Sequence, residues 1–397
     1  MTAASNPAMS AVLTDSELRR FGRHLILPEF GLAAQQRLKA GSVLLIGLGG
    51  LGSPSSLYLA AAGVGRIGLV DADVVEETNL QRQIVHGYAT LGHLKTESAA
   101  ARMLDINPDL QIERHDVRLN LENALDLMAQ YDVIVDGTDN FPTRYLVNDA
   151  CVKLGKPNVY GGVLRFDGQL SVFDARHGPC YRCLFPEPPP IEFAPNCAEA
   201  GVLGVVPGVI GSLQATEVIK LLTGVGSPMI GRMLIYDGLD LSFTTIQIAK
   251  AADCPVCSHP PADIELKETA MACSAPVGRS MSSSVLQSRQ QAGDDLMVVD
   301  VRNPAEWLSG TIFGSIGLPM PDITRALRQA GPPPLPKDRD LVLVCQSGMR
   351  SSAVIRSLVD AGYDSGRLYN LERGMAAWTS DVYPPGAKNL HRERVSN

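Results

Sequence analysis

Short, unbroken apolar runs recur along the chain, and stretches of helical character separate them. Ser42–Ile46 (SVLLI) is continuous rather than alternating, which predicts a strand buried on both faces of a parallel sheet. A helix over Ser53–Ala62 and a strand over Ile67–Asp71 (IGLVD) follow. Gln111–Glu113 and Asp132–Asp136 (DVIVD) predict further strands, with helices over Glu97–Leu104 and Leu121–Ala129 between them. Such alternation describes an open α/β sheet that takes nucleotide at the carboxyl ends of its strands.

The pattern returns near the end, where Leu296–Val301 (LMVVDV), Leu341–Val344 (LVLV) and Arg367–Asn370 predict the strands of a second, smaller α/β domain. Pro186–Pro195 (PEPPPIEFAP) is too stiff for a helix or central strand. Residues 261–284 mix Pro, Ser, Gly and Ala without periodicity and read as a linker. The longest apolar stretch, Gly201–Leu213, is interrupted by Pro207 and too short to span a bilayer.

A length of 397 residues agrees with two domains. With 42 acidic against 35 basic residues and 5% aromatics, neither nucleic acid nor an anionic membrane is the expected partner. No basic residue precedes Arg19 and no long apolar core follows Met1, so a cytoplasmic protein is expected. In that reducing compartment eight cysteines read as metal ligands or reactive thiols before disulfides.

Gly47, Gly49, Gly50 and Gly52 lie between a strand and a helix, a turn that brings backbone N–H groups against phosphate. NAD-dependent dehydrogenases use a similar turn, and Asp71 suits a ribose hydroxyl in either case. Arg82, within Thr78-Asn79-Leu80-Gln81-Arg82-Gln83, and Lys95 add cations beyond the ribose. A triphosphate needs such charge and hydride transfer does not. Asp139, in Gly137-Thr138-Asp139-Asn140, places a carboxylate at the sheet's carboxyl edge, suited to Mg²⁺.

Cys180 with Cys183 and Cys254 with Cys257 are two CxxC pairs, each able to hold two corners of a tetrahedron. Four thiolates with no open position describe a structural zinc site. Cys345 follows an apolar strand, and the loop from Cys345 to Arg350 leads into a helix start at Ser351. Successive N–H groups, the helix N-terminus and Arg350 would stabilise a thiolate or persulfide there. A cysteine phosphatase cradles its anion similarly, commonly with five residues between Cys and Arg; the four here suit a sulfane sulfur better. Cys151 and Cys273 read as a core thiol and a linker thiol.

From about Leu18 to His259 the motifs GLGGLGS, VDADVVEETNLQRQ, LKTES, GTDN, YRC, NCAE and CPVC resemble the MoeB/ThiF family, the ubiquitin-activating-enzyme-like adenylyltransferases of small sulfur-carrier proteins. The resemblance implies a Rossmann-like adenylation domain over residues 1–260. It implies ATP contacts from Gly50, Asp71, Thr78, Asn79, Leu80, Gln81, Arg82, Lys95, Asp139 and Asn140. It further implies a homodimer in which Arg23 enters the neighbour's ATP site, and a Cys197 that forms a thioester with the carrier's terminal glycine.

From about Ser284 onward the Cys345 loop, DVRNPAEW (Asp300–Trp307) and LERGMAAW (Leu371–Trp378) resemble single-domain rhodaneses. That implies a small α/β rhodanese domain over 285–397 with a persulfide on Cys345. Gln346 replaces a basic residue of many rhodaneses, and Gly310–Gly314 lacks the usual histidine and proline. Together the two resemblances imply that a ubiquitin-like sulfur carrier ending in Gly-Gly is adenylated with ATP and Mg²⁺. The carrier would then be converted to a thiocarboxylate with sulfur from an upstream persulfide donor such as a cysteine desulfurase. The rhodanese part leans toward the small subunit of molybdopterin synthase as the carrier. Two alternatives stand beside this reading: a conjugation-type activating enzyme whose output is a Cys197 thioester, with the second domain for docking, and an NAD-dependent enzyme.

Overall fold

A computed structural model describes residues 11–188, 201–268, 278–329, 335–378 and 380–384. They fall into two compact units, one running through residue 268 and the other from residue 278 onward.

The first unit is built on β1 (Ser42–Ile46), β2 (Arg66–Val70), β3 (Gln111–His115), β4 (Val133–Asp136), β5 (Asn158–Leu164), β6 (Asp167–Phe173), β7 (Arg232–Asp237) and β8 (Ser242–Gln247). Their order across the sheet is β3-β2-β1-β4-β5-β6-β7-β8. The first five are parallel and the rest run antiparallel. Every residue of β1 is buried, as an unbroken apolar run requires, whereas every residue of the edge strand β8 is exposed. Strand order steps outward in both directions from β1, which leaves a crevice at the carboxyl ends of β1 and β4.

The apolar stretch interrupted by Pro207 runs, from Val205 onward, into a longer element, a helix over Val205–Thr223. Pro207 lies in its first turn, where a backbone N–H has no helical partner to lose. The helix is long and apolar enough to cross a membrane by length and composition alone. Its apolar side, with Val206, Ile210, Ala215 and Val218, is buried instead in the cores that cover the sheet. Gln214 on that helix donates to the carbonyls of Asp136 (2.8 Å) and Val159 (3.0 Å), tying it to β4 and β5.

The second unit carries β9 (Arg279–Met281), β10 (Leu296–Asp300), β11 (Ile316–Gly317), β12 (Asp340–Val344) and β13 (Leu368–Leu371), all parallel in the order β11-β10-β12-β13-β9. The stretch 261–284, read above as linker, has structure at both ends. Pro261–Asp263 forms a 3-10 turn, Ile264 is buried, and Lys153 Nζ donates to the Ile264 carbonyl at 2.7 Å. Arg279–Met281 is the edge strand β9, and the Ser282 side chain caps the helix Ser283–Ala292. Three residues (RSM), of which Met281 alone is buried, are too few to leave a hydrophobic period in the sequence.

A buried ion pair braces the second core. Asp300 and Arg302 are each 1% exposed, with Nη2–Oδ2 at 2.7 Å and Nε–Oδ1 at 3.0 Å. Arg302 Nη2 also donates to the Gly310 carbonyl at 2.7 Å, so charge and donors are satisfied together. Arg302→Leu would strand the Asp300 carboxylate, and the second unit should lose about 3–5 kcal/mol of stability. Both tryptophans, Trp307 and Trp378, lie in this unit, so tryptophan fluorescence during urea unfolding reads it alone. A loss below about 1 kcal/mol would contradict the assignment.

Candidate functional site

At the end of β1 the chain turns at Gly47, whose φ of +90° suits glycine. A Cβ on Gly52 would sit 2.1 Å from the Gly47 carbonyl oxygen, and one on Gly137 would sit 2.9 Å from it. The loops after β1 and β4 therefore meet backbone on backbone, and the helix Gly52–Ala62 starts at the same point. Asp71, at the end of β2, holds the turn by accepting from Leu48 N–H at 2.8 Å and from Asp73 N–H at 2.9 Å.

Beside this turn lies a cavity of about 440 Å³. Of the residues expected to bind nucleotide, Gly50, Asp71, Arg82, Lys95, Asp139 and Asn140 line it; Thr78, Asn79, Leu80 and Gln81 do not. Those four stand behind Arg82: the 3-10 turn Glu77–Asn79 leads into it, and Arg82 Nη1 donates to the Thr78 carbonyl at 3.2 Å. Asn140 caps the helix Phe141–Leu154, its Oδ1 accepting from Thr143 N–H at 3.0 Å. The exposed Asp139 carboxylate has no hydrogen-bond partner among the described residues, which leaves it able to hold a cation. Arg23 is exposed on the short helix Gly22–Leu25 and does not line this chain's cavity. Cys197 lies outside the described residues.

The cavity has further polar walls that the sequence did not single out. Asp73 receives the buried Lys95 (3.2 Å) and faces Arg118 (3.6 Å), so one carboxylate occupies two cations at the mouth. Arg144 is buried, donates to the Thr138 carbonyl at 3.1 Å and lies over the Tyr160 ring at 4.9 Å. Its nearest carboxylate, Asp136, is fully buried, and burial pushes that acid upward against the pull of Arg144. Spacing gives one usable signal: Arg144 falls four residues after Asn140, on the same helix face. His86 is 7% exposed behind the glycine turn. The Leu48 carbonyl at 3.0 Å can only accept, so Nε2 carries the proton and Nδ1 meets the Ser98 hydroxyl at 2.9 Å.

The two CxxC pairs come together. The Sγ atoms of Cys180, Cys183, Cys254 and Cys257 all lie within 4.8 Å of one another. Cys180 is 3.5 Å from Cys254, Cys183 is 3.4 Å from Cys257 and 3.9 Å from Cys180. A tetrahedron of sulfurs about 2.3 Å from a central ion has edges of about 3.8 Å, so the cluster has the size of a closed metal site. Burial and the neighbouring sulfurs push the Cys180 thiol far up, and burial raises Cys257 to about 12. Against burial, the Val256 and Cys257 N–H groups hold Cys254 below the usual thiol range. Four crowded sulfurs are costly as they stand, and a thiophilic divalent cation relieves them.

In the second unit Cys345 directly follows the strand β12 and is fully buried. Its Sγ accepts from Gly348 N–H at 3.0 Å, which the Gly348 φ of +93° aims inward, and the Ser351 Oγ lies 3.3 Å away, its single proton given to the closer Asn370 Oδ1. Asn370 fixes the loop from outside, donating to the Gly348 carbonyl at 3.0 Å and accepting from Ser351 at 2.6 Å. Arg350, expected to serve the sulfur, gives both Nη atoms to Glu306 at 2.7 Å each. Although burial opposes it, Arg350 and the Asn303 N–H hold the Glu306 carboxyl below the usual range.

Cations at Arg82, Lys95 and Arg118 around a glycine turn suit polyphosphate cleavage rather than hydride transfer, and place the first unit among the nucleotide-cleaving activating enzymes. The chain belongs to the ThiF family, which it matches over residues 21–256, and a rhodanese-like domain matches residues 282–381. It is 43% identical over 387 residues to a probable adenylyltransferase/sulfurtransferase MoeZ of Mycobacterium tuberculosis, covering 94% of this chain and 96% of that one. It is 40% identical over 392 residues to the adenylyltransferase and sulfurtransferase MOCS3 of Drosophila yakuba, covering 95% and 86%. Among solved structures it shares a fold with E. coli MccB bound to MccA-N7isoASN, at a TM-score of 0.56 and 22% identity over 62% of this chain and 76% of that one.

Burial, reinforced by Lys95, lowers the His86 pKa, so the folded chain takes up that proton less readily than the unfolded one. The stability contributed by neutral His86 is therefore complete above about pH 6.5 and falls as acid is added below it. Calorimetric melts of His86→Gln between about pH 7.5 and 5.5 should show a flatter pH dependence than the unsubstituted chain. Parallel curves would contradict this role.

Proposed function

We propose that the chain adenylates the C-terminal glycine of a ubiquitin-like sulfur-carrier protein ending in Gly-Gly and then converts it to a thiocarboxylate. The observation that carries this reading is the presence, on one chain, of a cation-lined glycine-turn crevice and an amide cradle around Cys345. The names of the MoeZ and MOCS3 relatives support both activities.

In the crevice a carrier carboxylate oxygen attacks the α-phosphorus of ATP, the α–β bridge breaks, and pyrophosphate leaves an acyl-adenylate. Gly49 and Gly50 of the turn, which line the crevice ahead of the helix Gly52–Ala62, would take the phosphates, and Asp71 the ribose. Lys95, released from Asp73, joins Arg82 and the Arg23 of a second copy in offsetting the charge that develops on phosphate. Asp139 would hold Mg²⁺, which neutralises phosphate charge when bound. Cys180, Cys183, Cys254 and Cys257 would hold Zn²⁺ as a closed structural site.

Cys345 is loaded as a persulfide by a donor such as a cysteine desulfurase. Its terminal sulfur attacks the activated carbonyl, and AMP leaves; a Cys197 thioester is an alternative acyl donor to the same sulfur. A thiol then cleaves the acyl disulfide, so the carrier departs as thiocarboxylate while that thiol and Cys345 form a disulfide. A cellular thiol reductant reopens it.

Cys345→Ala should retain carrier-dependent exchange of pyrophosphate into ATP and lose thiocarboxylate formation, measured as the carrier's mass. Loss of exchange as well would refute the division of labour. Atomic absorption should find one zinc per chain. Cys254→Ser should lose most of it, with about 3 kcal/mol or more of stability. Full zinc in that variant would refute the four-sulfur site.

A further inference from the structure

Arg350 is the one cation within the Cys345–Arg350 loop, and Glu306 holds it tightly. Both carboxylate oxygens accept from it at 2.7 Å, and the two side chains are only 11% and 25% exposed. Glu306 is itself fixed from the far side. It closes a capping box on the short helix Pro304–Trp307, accepting from Asn303 N–H at 2.9 Å. To turn Arg350 toward the cradle mouth, two charge-assisted bonds in a half-dry site would have to break. The neighbouring Gln346 is neutral, so the loop presents no uncompensated cation of its own beside the sulfur.

Sulfane donors differ in what they ask of that mouth. Thiosulfate is a small dianion whose charge lies beside the reacting sulfur, and it gains most from a cation there. A persulfide borne on a protein cysteine carries at most one charge, and its own protein holds it in place. We propose that the Glu306–Arg350 clamp sets the donor class of Cys345, selecting a protein-borne cysteine persulfide over a small sulfur oxyanion. Glu306 acts through Arg350 and is a positioning residue. The inference rests on the sulfurtransferase reading given above.

The step is the same with either donor. The Cys345 thiolate attacks the outer sulfur, a new S–S bond forms, and the donor's S–S bond breaks. Its electron pair leaves on the donor thiolate or on sulfite. The sulfur keeps its oxidation level, and no further reagent is needed.

The test uses the full chain, Glu306→Gln, Arg350→Lys and the double variant Glu306→Gln/Arg350→Gln. Each is loaded with thiosulfate or with a cysteine desulfurase charged with cysteine, and the rate of persulfide formation on Cys345 is followed by mass spectrometry. Glu306→Gln keeps the acceptor for Asn303, and tryptophan fluorescence checks its fold. The ratio of thiosulfate rate to desulfurase rate should rise about tenfold in Glu306→Gln. It should also rise in Arg350→Lys, whose ammonium cannot be gripped by both oxygens. It should return to the unsubstituted level in the double variant. An unchanged ratio in both single variants, or a gain that survives in the double, overturns the clamp. If the unsubstituted chain acquires persulfide from neither donor, the sulfurtransferase reading fails first and the clamp falls with it.

Discussion

The Gly47 carbonyl oxygen is the point on which the first unit turns. The loop after β1 and the loop after β4 pack against it so closely that a Cβ at 52 or 137 would stand 2.1 Å or 2.9 Å away. Real Cβ atoms are not found at such distances, so the contact admits only bare backbone. From that contact follow the start of the helix Gly52–Ala62, the hold of Asp71 on Leu48 N–H, and the open crevice beside them. Side chains then supply charge to a hole that backbone has already shaped.

What could be read from the sequence is what is local in it. The run SVLLI, the glycine turn, the paired CxxC spacings and the Cys345 loop each fit within a few residues, and each has its place in the structure. What could not be read depends on chain partners far apart. Asp73 meets Arg118 because β2 and β3 are neighbours and meets Lys95 because Val74 bridges Leu94, and Arg350 meets Glu306 across 44 positions. The strand β9 is too short to show a side-chain period, with only Met281 of its three residues buried at the sheet edge. Pro207 misled for a different reason: proline marks a break in a helix interior but is harmless in a first turn.

Two sulfur chemistries share the chain and are kept apart by their surroundings. In the cluster of Cys180, Cys183, Cys254 and Cys257 each sulfur faces other sulfurs, an arrangement that welcomes a cation and no reaction. At Cys345 one sulfur faces the Gly348 N–H at a helix N-terminus, a donor suited to an anion that must later be given up. The guanidinium of the same loop is held by a carboxylate, and the N–H that reaches the sulfur is a fixed dipole.

The four-cysteine cluster also has a topological consequence. Its two pairs lie 74 positions apart, and the chain between them holds the helix Val205–Thr223, β7 and β8. Bridged by a cation, that chain becomes a closed ring. Closing a ring of this length removes about 4–5 kcal/mol of conformational freedom from the unfolded chain, by the entropy estimate used for disulfides. Thermal opening of the exposed strand β8 is then confined to a loop whose two ends stay tethered at the cluster.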